Sequence, residues 1–240
     1  MLKSVTFRVT GFLYTSLPPW GGAHREKTYQ GYVFRWDLQN AVKGKTEMEK
    51  AEIRKQNKMK RAEMSKADAR ENSSVISELF LNSELYKNAK CIMLYMPLGN
   101  EVDTKDITKA AFKDGKKVVL PVTDNKNNII PYFVKKDTEF QTGAFSVKEP
   151  IGTEKANTKE IDLVIVPGIA FDKSGNRIGF GKGCYDGFLK NINAVKVGIC
   201  YEFQMCDEIS ADLFDVKMDY VITEKGIFLT SSQGKGKVSR

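Results

Sequence analysis

Between residues 91 and 224 the chain alternates short apolar runs with mixed polar stretches. The runs are CIMLYM (91–96), KVVLPV (117–122), IIPYFV (129–134), DLVIVPG (162–168), AVKVGICY (194–201) and DYVITE (219–224). Near-continuous Val/Ile/Leu runs of this length are what strands buried on both faces look like, so each predicts a strand. Charged residues interleaved with apolar ones at helical spacing predict helices over about 49–70, 72–88, 104–114 and 184–192. Asp103 or Thr104 can cap the third, Gly115 stops it, and the turn-like DNKNN separates the second and third strands. Strands alternating with helices predict an α/β fold of three layers, a mostly parallel sheet flanked by helices, Rossmann-like and in a single domain. In such sheets ligands lie beyond the carboxyl ends of the strands.

The two ends of the chain do not share this pattern. Residues 1–47 hold the only histidine, His24, both tryptophans and a Pro-Pro-Trp-Gly-Gly break, with no sustained apolar period. Met48 then opens a charged helical stretch, so the folded domain is expected to run from 48 to 224, behind an N-terminal extension (1–47) and ahead of a basic tail (225–240). The extension reads as an upstream segment, a misassigned start or a targeting peptide, since no acid precedes Glu26. Histidine chemistry in the domain is excluded unless His24 reaches in.

Charge refines this division. The net charge is +8, but residues 1–47 carry seven Lys/Arg against three Asp/Glu and residues 225–240 carry four against none. The body between is neutral, which argues against a phosphate-tracking surface for nucleic acid. No run of eighteen apolar residues occurs, so no membrane span is predicted. The four cysteines show neither CxxC spacing nor histidine partners. A reduced, cytoplasmic monomer acting on small molecules, with no nucleic-acid or membrane partner, is the expectation.

The chemistry concentrates in RIGFGKGCYDGFL (177–189), directly after the fourth apolar run. Glycines at 179, 181, 183 and 187 let backbone N–H groups approach an anion, and Lys182 and Arg177 add charge. The loop reads as a phosphate cradle or, more blandly, as a tight turn. It is neither a Walker A motif, which needs Gly-Lys-Ser/Thr, nor the dinucleotide fingerprint.

The wider stretch VPGIAFDKSGNRIGFGKGCYDGFL closely resembles the signature of the 5-formyltetrahydrofolate cyclo-ligase family, also called 5,10-methenyltetrahydrofolate synthetases. The similarity takes in KAEIR at the start of the first helix, YMPLGNEVDT, TGAFSVKEP and DVKMDYVI, from Lys50 to about Thr223. It implies an ATP- and magnesium-dependent ligase that closes 5-formyltetrahydrofolate to 5,10-methenyltetrahydrofolate, releasing ADP and phosphate. The rival reading is a noncatalytic or differently reactive nucleotide-binding protein on the same scaffold.

Residue by residue, the resemblance assigns Lys50 and Arg54 to the ATP phosphates, and their i, i+4 spacing puts both on one helical face. Arg177, Gly179, Gly181, Lys182, Gly183, Cys184 and Tyr185 match the ATP-binding loop, with Lys182 and Tyr185 its expected catalytic groups. Asp186 and Asp215 match magnesium ligands; two carboxylates with phosphate oxygens and waters suit that hard cation. Glu101 and Met96 match folate-binding positions, and Phe145 an aromatic position against the pterin or benzoyl ring. Two positions depart from the pattern. Cys184 replaces the first of two consecutive tyrosines, leaving the missing hydroxyl's part to a thiol, a water or Tyr185. Phe180 stands where some members carry arginine.

Overall fold

Alternation along each apolar run decides how the layers pack. The computed structural model describes residues 48–143 and 146–231, which fall in one compact unit, Thr46–Arg240. In β1 (Cys91–Met93), Ile92 faces one core with Ile76 and Phe80 of α2 (Lys66–Asn82) and Ile107 and Ala111 of α4 (Lys105–Lys113). Cys91 and Met93 face a second core with Phe188 and Leu189 of α5 (Cys184–Leu189). Both faces are covered, giving the three layers expected.

The other main strands are β2 (Lys117–Thr123), β3 (Ile129–Val134), β6 (Leu163–Val166), β9 (Val195–Ile199), β11 (Tyr220–Thr223) and β12 (Gly226–Leu229). Their order is β12-β11-β9-β6-β1-β2-β3. The five inner strands are parallel, and β3 and β12 pair antiparallel at the two edges. The chain thus winds from β1 outward to β2, then returns to the other side of β1 with β6. The strand order reverses between β1 and β6, which opens a crevice beyond their carboxyl ends.

Several boundaries differ from the expectation. The first helical stretch breaks at Ser65 rather than near residue 71. One helix, α1, covers residues 48–63, and α2 starts afresh with the Ser65 hydroxyl accepting from the Asp68 N–H. Residues 84–88 form a separate short helix, α3 (Glu84–Asn88), capped by Ser83. The segment expected to be a basic tail from 225 contains β12, whose residues Gly226 to Leu229 pair one for one with β11 from Thr223 to Tyr220. Lys225 lies in the hairpin turn between the two strands.

Three short strands escaped the pattern entirely: β7 (Ala170–Asp172), β8 (Arg177–Ile178) and β10 (Met205–Cys206), which form a small sheet of order β10-β7-β8. Ile53 of α1 packs on it, and Asn57 donates to the Ile169 carbonyl at 3.0 Å. A further hairpin, β4 (Glu139–Thr142) with β5 (Lys148–Ile151), stands beside β2. Among the described residues no helix is long and apolar enough to cross a membrane.

Candidate active site

A cavity of about 520 Å³ opens at the crevice beyond β1 and β6. It brings together Lys50, Arg54, Met96, Glu101, Arg177, Gly179, Gly181, Lys182, Gly183, Cys184, Tyr185, Asp186 and Asp215, all singled out above. Phe145 lies outside the described residues. Tyr95, Thr123, Glu149 and Asp212 also line the cavity and were not anticipated as site residues. For Asp212 a signal existed, since it stands three residues before Asp215 in DLFD.

One end of the cavity is built from α1 and the glycine loop. Arg54 Nε donates to the Gly179 carbonyl at 3.0 Å, tying the helix to the loop. Lys50, one turn earlier and almost fully buried, places Nζ 2.6 Å from Asp212 Oδ2 and 3.3 Å from Asp215 Oδ2. Burial alone would lower the lysine pKa, but the hydrogen bonds and attraction of the two aspartates outweigh it and hold it above 10.5. Gly181 and Gly183 have φ of +92° and +69°, where a side chain is strained; Gly179 and Gly187 do not, so only two of the four glycines are demanded by backbone shape. Lys182 is exposed and makes no ion pair among the described residues.

Arg177 stands behind this loop with its side chain 5% exposed. One terminal nitrogen donates to Asp186 Oδ1 at 2.9 Å, the other to the Pro167 carbonyl at 3.3 Å, and Nε is buried without a partner among the described residues. Its guanidinium lies 5.6 Å from the Tyr185 ring centroid. Burial pushes the Tyr185 phenol well above its ordinary value, despite Arg177, so at neutral pH it is a proton-bearing donor. The Cys184 thiol is likewise raised by burial and stays protonated. Phe180 meets Lys58 at 5.2 Å and Arg61 at 5.9 Å over its ring, so cations from α1 gather where an arginine would have stood.

Buried acids complete the lining. Glu101 accepts from the Leu98 N–H at 2.9 Å and faces Arg61 at 3.5 Å. Burial raises its pKa, and the Leu98 N–H and Arg61 only partly offset that. Asn100 anchors the same turn to α1 through the Arg61 and Met64 carbonyls. Met96 follows β1 into the cavity as a half-buried apolar wall.

The two aspartates expected to hold a cation are engaged through one oxygen each. Asp186 Oδ1 accepts from Arg177 and, at 3.2 Å, from Val216 N–H; Asp215 Oδ2 accepts from Asp212 N–H at 2.8 Å and from Lys50. Their remaining oxygens have no protein partner among the described residues. No cluster of three or more His, Cys, Asp or Glu able to cage a metal occurs there. A donor set this sparse fits magnesium, which keeps waters and takes phosphate oxygens as further ligands.

The geometry and the motif order agree with a single family. The description of the 5-formyltetrahydrofolate cyclo-ligase family matches residues 46–224. The chain belongs to that family. Among its relatives, the 5-formyltetrahydrofolate cyclo-ligase of Mus musculus is 28% identical, over 63% of this chain and 82% of that one. The solution structure of Aquifex aeolicus 5,10-methenyltetrahydrofolate synthetase is similar at a TM-score of 0.71 and 33% identity, covering 80% of this chain and 96% of that one. The Mycoplasma pneumoniae synthetase structure gives 0.60 and 28%, over 73% and 98%. The fold of this cyclo-ligase family member is therefore shared with solved members over nearly their whole length, and Cys184 and Phe180 both line the cavity.

Proposed function

We propose that this cavity performs the family's reaction, ATP-dependent cyclisation of 5-formyltetrahydrofolate to 5,10-methenyltetrahydrofolate with release of ADP and phosphate. The observation that carries the reading is one cavity lined by basic side chains and a glycine loop together with buried acids, which suits a polyphosphate and a nitrogen-rich heterocycle side by side. A formamide oxygen is a poor leaving group. Transfer of the γ-phosphoryl group to it breaks the terminal P–O bond of ATP and leaves ADP. N10 then attacks the formyl carbon, loses its proton, and the carbon–oxygen bond breaks with phosphate departing. Most of the catalytic task is positioning and charge neutralisation.

In this reading Lys50, Arg54, Lys182 and the backbone of 179–183 hold the phosphates, while Arg177 braces the loop. Tyr185, protonated, donates to the transferring phosphate or formyl oxygen, standing in for the hydroxyl that Cys184 lacks. Glu101 and Met96 hold the formylated folate, with Phe145 assigned to the ring. Asp186 and Asp215 would hold magnesium, which supplies neutralisation of the triphosphate charge. The catalytic domain begins at Met48, with residues 1–47 outside it. A monomer in the cytoplasm, acting on small molecules alone, is the setting we infer; the four cysteines, all free thiols, agree with it.

The test is the appearance of methenyltetrahydrofolate absorbance from purified full-length protein and 5-formyltetrahydrofolate, with ATP and magnesium and with each omitted. Product formed only in the complete mixture is expected. Nucleotide binding without any cyclisation would give the site to the noncatalytic alternative.

A further inference from the structure

Glu149 of β5 is a buried carboxylate to which the roles above give no task. It is 6% exposed and lines the cavity together with Pro121, Thr123, Ile129 and Val147. Its Oε1 accepts from the Thr123 N–H at 3.0 Å. Among the described residues, Oε2 accepts no hydrogen bond and no lysine or arginine pairs with the carboxylate, whereas Glu101, a buried acid lining the same cavity, has Arg61. A carboxylate in such surroundings is costly unless donors reach it. Space is also reserved for it: a Cβ on Gly143 would run into the Glu149 carboxylate.

A ligand in the cavity can supply the donors that the protein does not, and the wall around Glu149 restricts which. Pro121, Ile129 and Val147 make an apolar surface suited to a flat ring rather than to phosphate. A carboxylate is best met by two parallel N–H donors. The 2-amino-4-oxopyrimidine edge of a pterin presents such a pair, N3–H beside the 2-amino group. Adenine offers its amino group next to acceptor nitrogens, which a carboxylate would repel. We propose that Glu149 receives the N3–H and 2-amino edge of the pterin, making it a specificity residue for the folate; this rests on the cyclo-ligase reading of the cavity.

The test changes both partners of the contact in the full-length protein. Glu149→Gln keeps the shape and an acceptor for Thr123 but replaces one oxygen by an amide group. The ligand partner is a 5-formyltetrahydrofolate analogue with a 2-methyl group in place of the 2-amino group. Binding of both folates and of ATP is measured separately. The parent is expected to bind the analogue about tenfold or more weaker than the natural folate, the size of a lost charge-assisted bond. The variant should bind the natural folate weaker by a similar factor, discriminate little between the two folates, and bind ATP as the parent does. Gly143→Ala, which displaces the carboxylate without removing its charge, should also erase the discrimination. Discrimination retained in Glu149→Gln, or equal loss of ATP and both folates, overturns the assignment. If the parent itself never cyclises 5-formyltetrahydrofolate, the cyclo-ligase reading fails and takes this one with it; if the parent cyclises while the variant still discriminates, only Glu149 is misassigned.

Discussion

Two sets of charged residues lining the cavity face opposite electrostatic problems. At the loop Lys50, which the proposed reading gives to phosphate, is already paired with Asp212 and Asp215, and the bracing Arg177 with Asp186. Of the buried acids, Glu101 has a 3.5 Å approach to Arg61, and Glu149 pairs with no cation among the described residues. In the first set Lys50 exchanges one anion for another on binding, so its affinity reflects a difference between two strong interactions. The second set gains contacts it lacked, and its selectivity follows from leaving those groups unsatisfied without the right ligand.

Removing a cation from the exchanging set should break that contrast most strongly. Lys50→Ala is expected to weaken ATP by about 1.5–3 kcal/mol, the range for a charge-assisted bond, while folate binding changes little. Isothermal titration with each ligand checks this, and equal loss for both would mean that α1 shapes the whole cavity.

A smaller effect is expected among the buried acids. Glu101→Gln should lower folate affinity or turnover about tenfold, or about 1.4 kcal/mol, with nucleotide binding intact. The parent's pH profile sharpens the point. Burial raises the Glu101 pKa above 4.5, so on acidification its charge disappears earlier than that of an ordinary glutamate. The parent's KM for folate should therefore climb on acidification at a higher pH than an ordinary glutamate would give, whereas Glu101→Gln should lack that limb. An unchanged acid limb in the variant would place the titrating group elsewhere.

The smallest effect should come from a protein beginning at Met48. Both sets lie C-terminal to it, so kcat and both KM values should match those of the full chain. Loss of soluble protein on this truncation would move the domain boundary upstream.

The contrast between the two sets also marks what the sequence could reveal. Period and composition made the strands in the six apolar runs legible, because most of their residues are buried and need no partner's identity to be recognised. Two-residue strands such as β8 and β10 carry no period at all, and β12 was hidden by the basic residues that follow it. Motif spacing brought out the loop end, whose residues are nearly consecutive. The pairing of Lys50 with Asp212 joins residues 162 apart, and that of Glu149 with Thr123 depends on how the hairpin packs beside β2. Local pattern holds no record of either.

The link from Lys50 to Asp215, which spans 165 residues, also bears on the order in which the protein can be made. A nascent chain can pair β1, β2 and β3 as soon as they emerge, since these strands are neighbours in sequence and in the sheet. The cavity has no closed loop end until the aspartates near its last parallel strand have been synthesised and have found the first helix. Contacts this remote make assembly slow relative to local pairing. An interrupted chain would carry a partial sheet and an open, unpaired Lys50, so ligand-dependent protection from proteolysis is a property that only the completed polypeptide can have.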